Sequence, residues 1–258
     1  MIAILLCAGF ATRMYPLTKN FPKPLLKVGG RPVLDYLMDQ LLVLPEMESI
    51  HVVTNGLFYK NFHEWQARWK KISREYDIDI HLYNDGATSN ENRLGAVKDL
   101  ALAVKSLKTI APAIIAAGDN IFRFSLKPVA QEFISSGRNI VIALQEIDHG
   151  KKKQKGLLEI GPDNRVLRFY EKHLEARSGW ACPPIYFLQL SALGYIEEYA
   201  ARPDAGDSPG YFMEYLVNKG PVYTVKVNGN RLDVGTIESY EAAEKILTNE
   251  PLILPREI

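Results

Sequence analysis

The chain opens on an unbroken apolar run, residues 2–6, that stops at Cys7-Ala8-Gly9. A short continuous run of this kind predicts a strand buried on both faces that feeds a loop. Pro16, Pro22 and Pro24 keep the following residues out of regular helix. Pro32 then opens an amphipathic stretch with Val33, Leu34, Leu37, Met38, Leu41 and Leu42 on one side. Residues 50–54 read as a second strand. Residues 60–72 carry Phe62, Trp65, Trp69 and Ile72 at helical spacing, which makes these aromatics core rather than a platform for stacking bases. Residues 78–82 alternate like a strand, and 95–107 read as helix. Residues 111–117 form another buried strand that ends at Gly118-Asp119-Asn120. This alternation predicts a mostly parallel, mixed α/β sheet flanked by helices.

The second half has a different texture. Residues 140–145, 156–160 and 166–170 are short strand candidates, and Gly161-Pro162-Asp163-Asn164 reads as a hairpin turn between the last two. Residues 191–200 and 211–218 read as helices, 222–227 as a strand and 237–247 as a closing amphipathic helix. No repeat or low-complexity linker divides the chain. The expectation is one domain over residues 1–250, with an α/β part over about 1–135, a small α+β part over about 136–235, and a tail at 251–258.

Charge narrows the choice of partner. The chain has 258 residues and a formal net charge of +1. A protein held to nucleic acid by phosphate contacts shows a clear basic excess, so no nucleic-acid partner is expected. Lys151, Lys152 and Lys153 read as a solvated loop. Cys7 and Cys182 form no C-x-x-C pair and no disulfide framework, and Cys7 reads as a buried thiol. The apolar start lacks a basic flank and is far shorter than the roughly 20 residues that cross a bilayer. The expectation is a cytoplasmic protein without a membrane partner.

The strongest chemical signal is the loop Gly9 to Lys23. In open α/β sheets ligands sit beyond the carboxyl ends of the strands. Small residues there let backbone N–H groups approach a phosphate chain, and Arg13 and Lys23 add two cations. On local grounds alone, a phosphate site and a decorated surface loop are equally good readings. Asp119 and Asp233 are likewise either oxygen ligands for a hard cation or ordinary cap and turn residues.

The full string Leu6-Cys-Ala-Gly-Phe-Ala-Thr-Arg-Met-Tyr-Pro-Leu-Thr-Lys-Asn-Phe-Pro-Lys-Pro-Leu-Leu26 resembles the signature of the sugar-1-phosphate nucleotidylyltransferases, L-x-A-G-x-G-T-R-x-x-P-L-T-x-x-x-P-K-P-L. Gly118-Asp119-Asn120 resembles that family's G-D motif, and Asp233-Val-Gly-Thr-Ile-Glu238 its D-x-G-T-x-E segment. Glu171-Lys172 resembles the E-K-P element, and Arg93-Leu-Gly95-Ala96 the segment beside the nucleobase. The short length is similar to members without a C-terminal β-helix.

The resemblance implies a Rossmann-like nucleotidyltransferase fold whose first part binds nucleotide and whose second part binds the acceptor. It implies transfer of a nucleoside monophosphate from a nucleoside triphosphate to a sugar 1-phosphate, with Mg²⁺ as cofactor. Leu6, Ala8, Gly9, Ala11, Thr12, Arg13, Gly95 and Asp119 would contact nucleotide. Arg13 and Lys23 would be catalytic, and Asp119 and Asp233 would bind metal. Lys23, Glu171, Lys172 and Tyr186 would meet the acceptor.

Four positions depart from the pattern. Ala11 stands for a glycine, His173 for a proline, Pro184 for a small residue before Ile185-Tyr186, and Arg231 for a tryptophan. Pro184 and Arg231 point to an acceptor other than glucose 1-phosphate. Two rivals stay open: a cytidylyltransferase acting on a non-sugar phosphate, and a catalytically silent binding module of the same fold.

Overall fold

The computed structural model describes residues 1–145, 155–173 and 178–252. Within them the strands are β1 (Ile2–Leu6), β2 (Lys27–Val28), β3 (Arg31–Pro32), β4 (Ser49–Thr54), β5 (Asp79–Asn84), β6 (Ala113–Ala117) and β7 (Asn120–Phe122) in the first half. The second half supplies β8 (Asn139–Gln145), β9 (Gly156–Ile160), β10 (Val166–Glu171), β11 (Trp180–Cys182), β12 (Ile185–Leu188), β13 (Val222–Lys226) and β14 (Arg231–Asp233). The helices are α1 (Val33–Leu42), α2 (Tyr59–Arg74), α3 (Ala96–Ser106), α4 (Lys127–Ser136), α5 (Leu190–Ala200), α6 (Pro209–Lys219) and α7 (Ile237–Asn249).

The opening apolar run does become a strand buried at all five positions. β1 lies between β4 and β6, parallel to both, and β5 continues the parallel array beyond β4. The second half joins antiparallel: β12 pairs β6 on one side and β8 on the other, and β11, β9 and β10 extend the sheet. β13 returns parallel to β8. Among the described residues this makes one mixed ten-stranded sheet. The parallel half is the part that carries the loop.

Helices cover both faces and define two cores. One holds α1, α2 and α4 residues such as Leu37, Phe62, Trp65 and Phe133. The other holds Leu100 of α3, Ile196 of α5 and Phe212 of α6. Trp65 and Trp69 are 1% and 3% exposed, so the helical spacing marks core, as read. Both indole N–H groups donate to Asp35 Oδ1, at 2.7 and 2.9 Å, which ties α2 to the first turn of α1. The Gly161–Asn164 turn is present, with Asn164 at φ 56°.

A third, smaller core lies under the loop. Met14, Val28, Val33, Ile121, Leu232, Val234 and Leu247 pack together there. It seats a ladder that periodicity does not reveal: β7 and β14, three residues each, pair antiparallel with Asp233 opposite Asn120. α4 is a further element without a sequence expectation; Pro128 sits in its first turn, and Val129, Ala130 and Phe133 are buried. No helix among the described residues is long and apolar enough to cross a membrane. Lys151 to Lys153 and the last six residues of the expected tail lie outside the described residues.

Candidate active site

A cavity of about 280 Å³ lies past the C-terminal ends of β1 and β6, with Leu6, Ala8, Gly9, Ala11, Arg13 and Lys23 along its loop side. The loop is anchored from below. Cys7 N–H donates to Val53 O at 2.8 Å, and the buried Asn55 side chain donates to Ala8 O at 2.9 Å. Gly118 packs so tightly against Cys7 Sγ that a Cβ there would collide with it. Burial first, and the charge of Asp119 second, push the Cys7 thiol well above its usual range, which makes it inert packing. A Cβ at Gly9 would meet nothing within 4 Å, so its bare backbone is open to the cavity.

Ala11 is the hinge of the loop. It adopts φ 48°, ψ 44°, the left-handed region in which a Cβ is strained. The turn is held because Ala11 O accepts Met14 N–H at 2.9 Å and Thr18 Oγ1–H at 2.8 Å. The next residues make one 3₁₀ turn that buries Met14 and leaves Arg13 exposed at the cavity wall. Thr12 is exposed in this turn and does not line the cavity.

Lys23 comes next, in a second 3₁₀ turn shaped by Pro22 and Pro24. It is 7% exposed. A buried ammonium needs a partner, and Nζ finds Asp119 Oδ2 at 2.7 Å. The other oxygen, Asp119 Oδ1, accepts from Asn120 Nδ2 at 2.6 Å. Asn120 Oδ1 in turn accepts from Arg231 Nη1 at 2.6 Å, across the β7–β14 ladder. Burial pushes the Asp119 carboxyl up, but the charge and hydrogen bond of Lys23 and the charge of Arg231 outweigh it and hold it below its ordinary value. Asp233 is exposed on the neighbouring strand, with its carboxylate over Gly235, which lines the cavity.

The far wall of the cavity was only partly legible. Gly95 is there, as expected, at φ 94°. Asp99 and Asp207 are there without having been expected. Asp207 caps α3: its Oδ1 accepts Ala96 N–H at 2.8 Å, and Arg93 Nε lies 3.5 Å from its Oδ2. Asp99 is 5% exposed; among the described residues no donor reaches its Oδ1 or Oδ2 of Asp85, and a proton held on Asp99 lets the two carboxyls hydrogen-bond to each other. Burial first, then the neighbouring charges of Asp85 and Asp207, raise the Asp99 carboxyl to about 8. The available signal for Asp99 was a carboxylate on the apolar stripe of α3, three residues from Ala96 and four from Ala103.

The Nucleotidyl transferase family model matches residues 2–250. The chain belongs to this family. Curated relatives include the bifunctional protein GlmU of Methanococcus maripaludis strain C5, 27% identical over 237 residues, covering 91% of this chain and 51% of that protein. A mannose-1-phosphate guanyltransferase of Aspergillus fumigatus is 27% identical over 240 residues, covering 91% of this chain and 61% of that one. The chain thus spans about half the length of the bifunctional relatives it matches. Among solved structures, a Bacillus anthracis protein described as a glucose-1-phosphate thymidylyltransferase, in complex with sucrose, superposes with TM-score 0.80 at 20% identity, covering 96% of each chain. A UDP-glucose pyrophosphorylase complexed with UDP-glucose gives 0.75 at 16% identity, covering 96% of this chain and 98% of the other. At these identities the two structures bear on the fold.

Of the residues expected at the acceptor end, Lys23 lines the 280 Å³ cavity, whereas Glu171, Lys172 and Tyr186 do not. Glu171 is buried at the end of β10, where Ser208 Oγ donates to its Oε1 at 2.7 Å and a Cβ at Gly210 would strike its carboxylate. Lys172 follows at φ 59°, exposed, with Nζ 3.7 Å from Glu171 Oε1. His173, in place of the expected proline, sets Nε2 3.0 Å from Glu214 Oε1. Tyr186 is buried on β12; burial first, then Cys182 and Glu171, push its hydroxyl well up, against the opposing charge of Arg231. Pro184 lacks a donor, yet its carbonyl accepts Ala117 N–H at 3.0 Å.

Proposed function

We propose that this nucleotidyl transferase moves a nucleoside monophosphate from a nucleoside triphosphate to a phosphorylated small molecule, a sugar 1-phosphate, and releases pyrophosphate, with Mg²⁺ as its cofactor. The observation that carries the reading is the Lys23–Asp119 pair at the cavity floor. It puts a phosphate-seeking cation and a cation-seeking carboxylate within one hydrogen bond of each other, beyond the ends of the parallel strands. A silent binding module has no chemical reason to keep this pair together with Arg13, Lys172 and Asp233.

The donor set fits a divalent cation. Asp119 Oδ2 already carries a positive head group, and Asp233 lies on the adjacent strand. Among the described residues no group of three or more His, Cys, Asp or Glu gathers. Two carboxylates suit Mg²⁺, which keeps several waters and takes phosphate oxygens as ligands. When bound by Asp119 and Asp233, Mg²⁺ would neutralise the phosphate oxygens during transfer.

The chain's own residues then have defined work. An acceptor phosphate monoester, with a second pKa near 6, is mostly dianionic at neutral pH and attacks the α-phosphorus without a general base. The difficulty is bringing two polyanions together, so positioning and charge dominate, as in phosphoryl transfer. In this reading Lys23 leaves Asp119 for the α-phosphate or the acceptor phosphate, and Arg13 meets the charge on departing pyrophosphate. Gly9 and Ala11 present backbone to the triphosphate, and Gly95 admits the nucleoside. Glu171, Lys172 and Tyr186 hold the acceptor.

The test is pyrophosphate release with Mg²⁺ across a matrix of nucleoside triphosphates and phosphorylated acceptors, sugar and non-sugar. Turnover with a sugar 1-phosphate supports the reading. Turnover confined to CTP and a non-sugar phosphate replaces the acceptor, and none with any pair leaves a binding module. Arg13→Ala should lower kcat/KM about 100-fold, the loss typical of one preorganised donor, with an unchanged melting temperature. Wild-type turnover in that variant removes the loop from the chemistry.

A further inference from the structure

The side chains of Arg231, Asn120, Asp119 and Lys23 form one unbroken run of hydrogen bonds, at 2.6, 2.6 and 2.7 Å. Its two ends are built differently. Arg231 and Asn120 stand on the paired strands β14 and β7, and Asn120 is 3% exposed. A ladder closed on Ile121 and Leu232 in the third core is a rigid mount. Lys23 stands on a loop, on a long flexible stem.

Asn120 works as an oriented bridge. Its amide oxygen is claimed by the Arg231 guanidinium, so its amide nitrogen must face Asp119. Without Arg231 the amide oxygen loses its anchor, and the side chain is no longer held in the place from which its nitrogen donates to Asp119. Among the described residues Arg231 makes no ion pair with a carboxylate; its guanidinium is held by Asn120, and its charge reaches Asp119 through space as well.

We propose that Arg231 is a positioning residue for the cation site at Asp119. Through Asn120 it fixes Oδ1 of the carboxylate, and it thereby leaves Oδ2, the oxygen Lys23 holds, as the one exchanged to an incoming divalent cation. Cation binding and release of Lys23 toward phosphate are then one event. This rests on Asp119 being a cation ligand.

The sign of one measurement separates positioning from plain charge. Arg231 is itself a cation, so if it acted only through space, its removal would tighten binding of a metal ion. If it acts by holding Asn120, its removal loosens binding, by about 10-fold for an outer-shell partner of a metal ligand. Mn²⁺ affinity is read by the electron paramagnetic resonance of free Mn²⁺, without substrate, with melting temperatures checked alongside.

Arg231→Met and Asn120→Ala should each weaken Mn²⁺ binding about 10-fold, and the double variant should be no worse than either alone, because both break one path. Lys23→Met, which removes the competing ammonium, should tighten it. Unchanged or tighter binding in Arg231→Met, with Asp119→Asn impaired, overturns the positioning role. Weaker binding in Lys23→Met overturns the exchange. Unchanged binding in Asp119→Asn overturns the cation reading of the site itself, and this inference with it.

Discussion

Ala11 offers the sharpest test of how the loop is built. It holds φ 48° and ψ 44°, and its side chain has no second role in capping the turn. An L-residue in this region carries about 1–2 kcal/mol of strain from the approach of Cβ to its own carbonyl. Ala11→Gly removes that strain. It also gives the unfolded chain more freedom, which costs about 0.4–1 kcal/mol. The balance favours glycine by about 0.5–1 kcal/mol, or about 2 °C in melting temperature for a chain of this length. Ala11→Val should go the other way by about 2 kcal/mol, because a β-branched side chain is far worse at positive φ. Scanning calorimetry at fixed pH, with urea unfolding as a second measure, resolves these shifts. A glycine variant that melts below the wild type would refute the reasoning: the Cβ would then contribute more in packing than it costs in strain.

Two further predictions concern the carboxylates under the surface. The Asp99 carboxyl, raised to about 8 by burial and then by Asp85 and Asp207, binds a proton in the folded state that it lacks in the unfolded chain. Between the ordinary carboxylate pKa and about pH 8, stability therefore falls as pH rises. Asp99→Asn should flatten this decline and melt higher than the wild type in alkaline buffer; parallel melting curves for the two proteins would show that Asp99 ionises normally. Asp35 accepts from both Trp65 and Trp69, so Asp35→Leu takes this shared acceptor from two buried indole N–H groups. It should lose about 3 kcal/mol in urea unfolding, and Asp35→Asn, which keeps an acceptor, about 1 kcal/mol. Equal losses would mean that the two bonds are incidental.

Much of the parallel half was legible because burial on both faces writes itself as an unbroken apolar run. β1, β4 and β6 needed only local composition to be found, and α2 only the spacing of Phe62, Trp65 and Trp69. α4 has no counterpart among the expected elements, although Val129, Ala130 and Phe133 are spaced for a helix and Pro128 stands in its first turn. β12 is only four residues long and follows directly on Pro183 and Pro184, so its apolar run lacks the length that marks β1 and β6.

The site divides along the same physical line. Gly9, Arg13 and Lys23 stand on one continuous loop, so their grouping is a local fact. Asp119 and Asp233 are separated by most of the second half of the chain, and each is by local rules an ordinary turn or cap residue. What joins them is a ladder of two three-residue strands, too short for any periodicity, fixed by the packing of Ile121 and Leu232 in a core they share with Met14. Arg231, set apart in the sequence only by not being a tryptophan, gains its meaning from that same pairing, because only across the ladder can it reach Asn120 and orient it toward Asp119. The loop could thus be read without the fold. The carboxylate arrangement could not, since no single stretch of chain contains the contacts that bring these two aspartates to neighbouring strands.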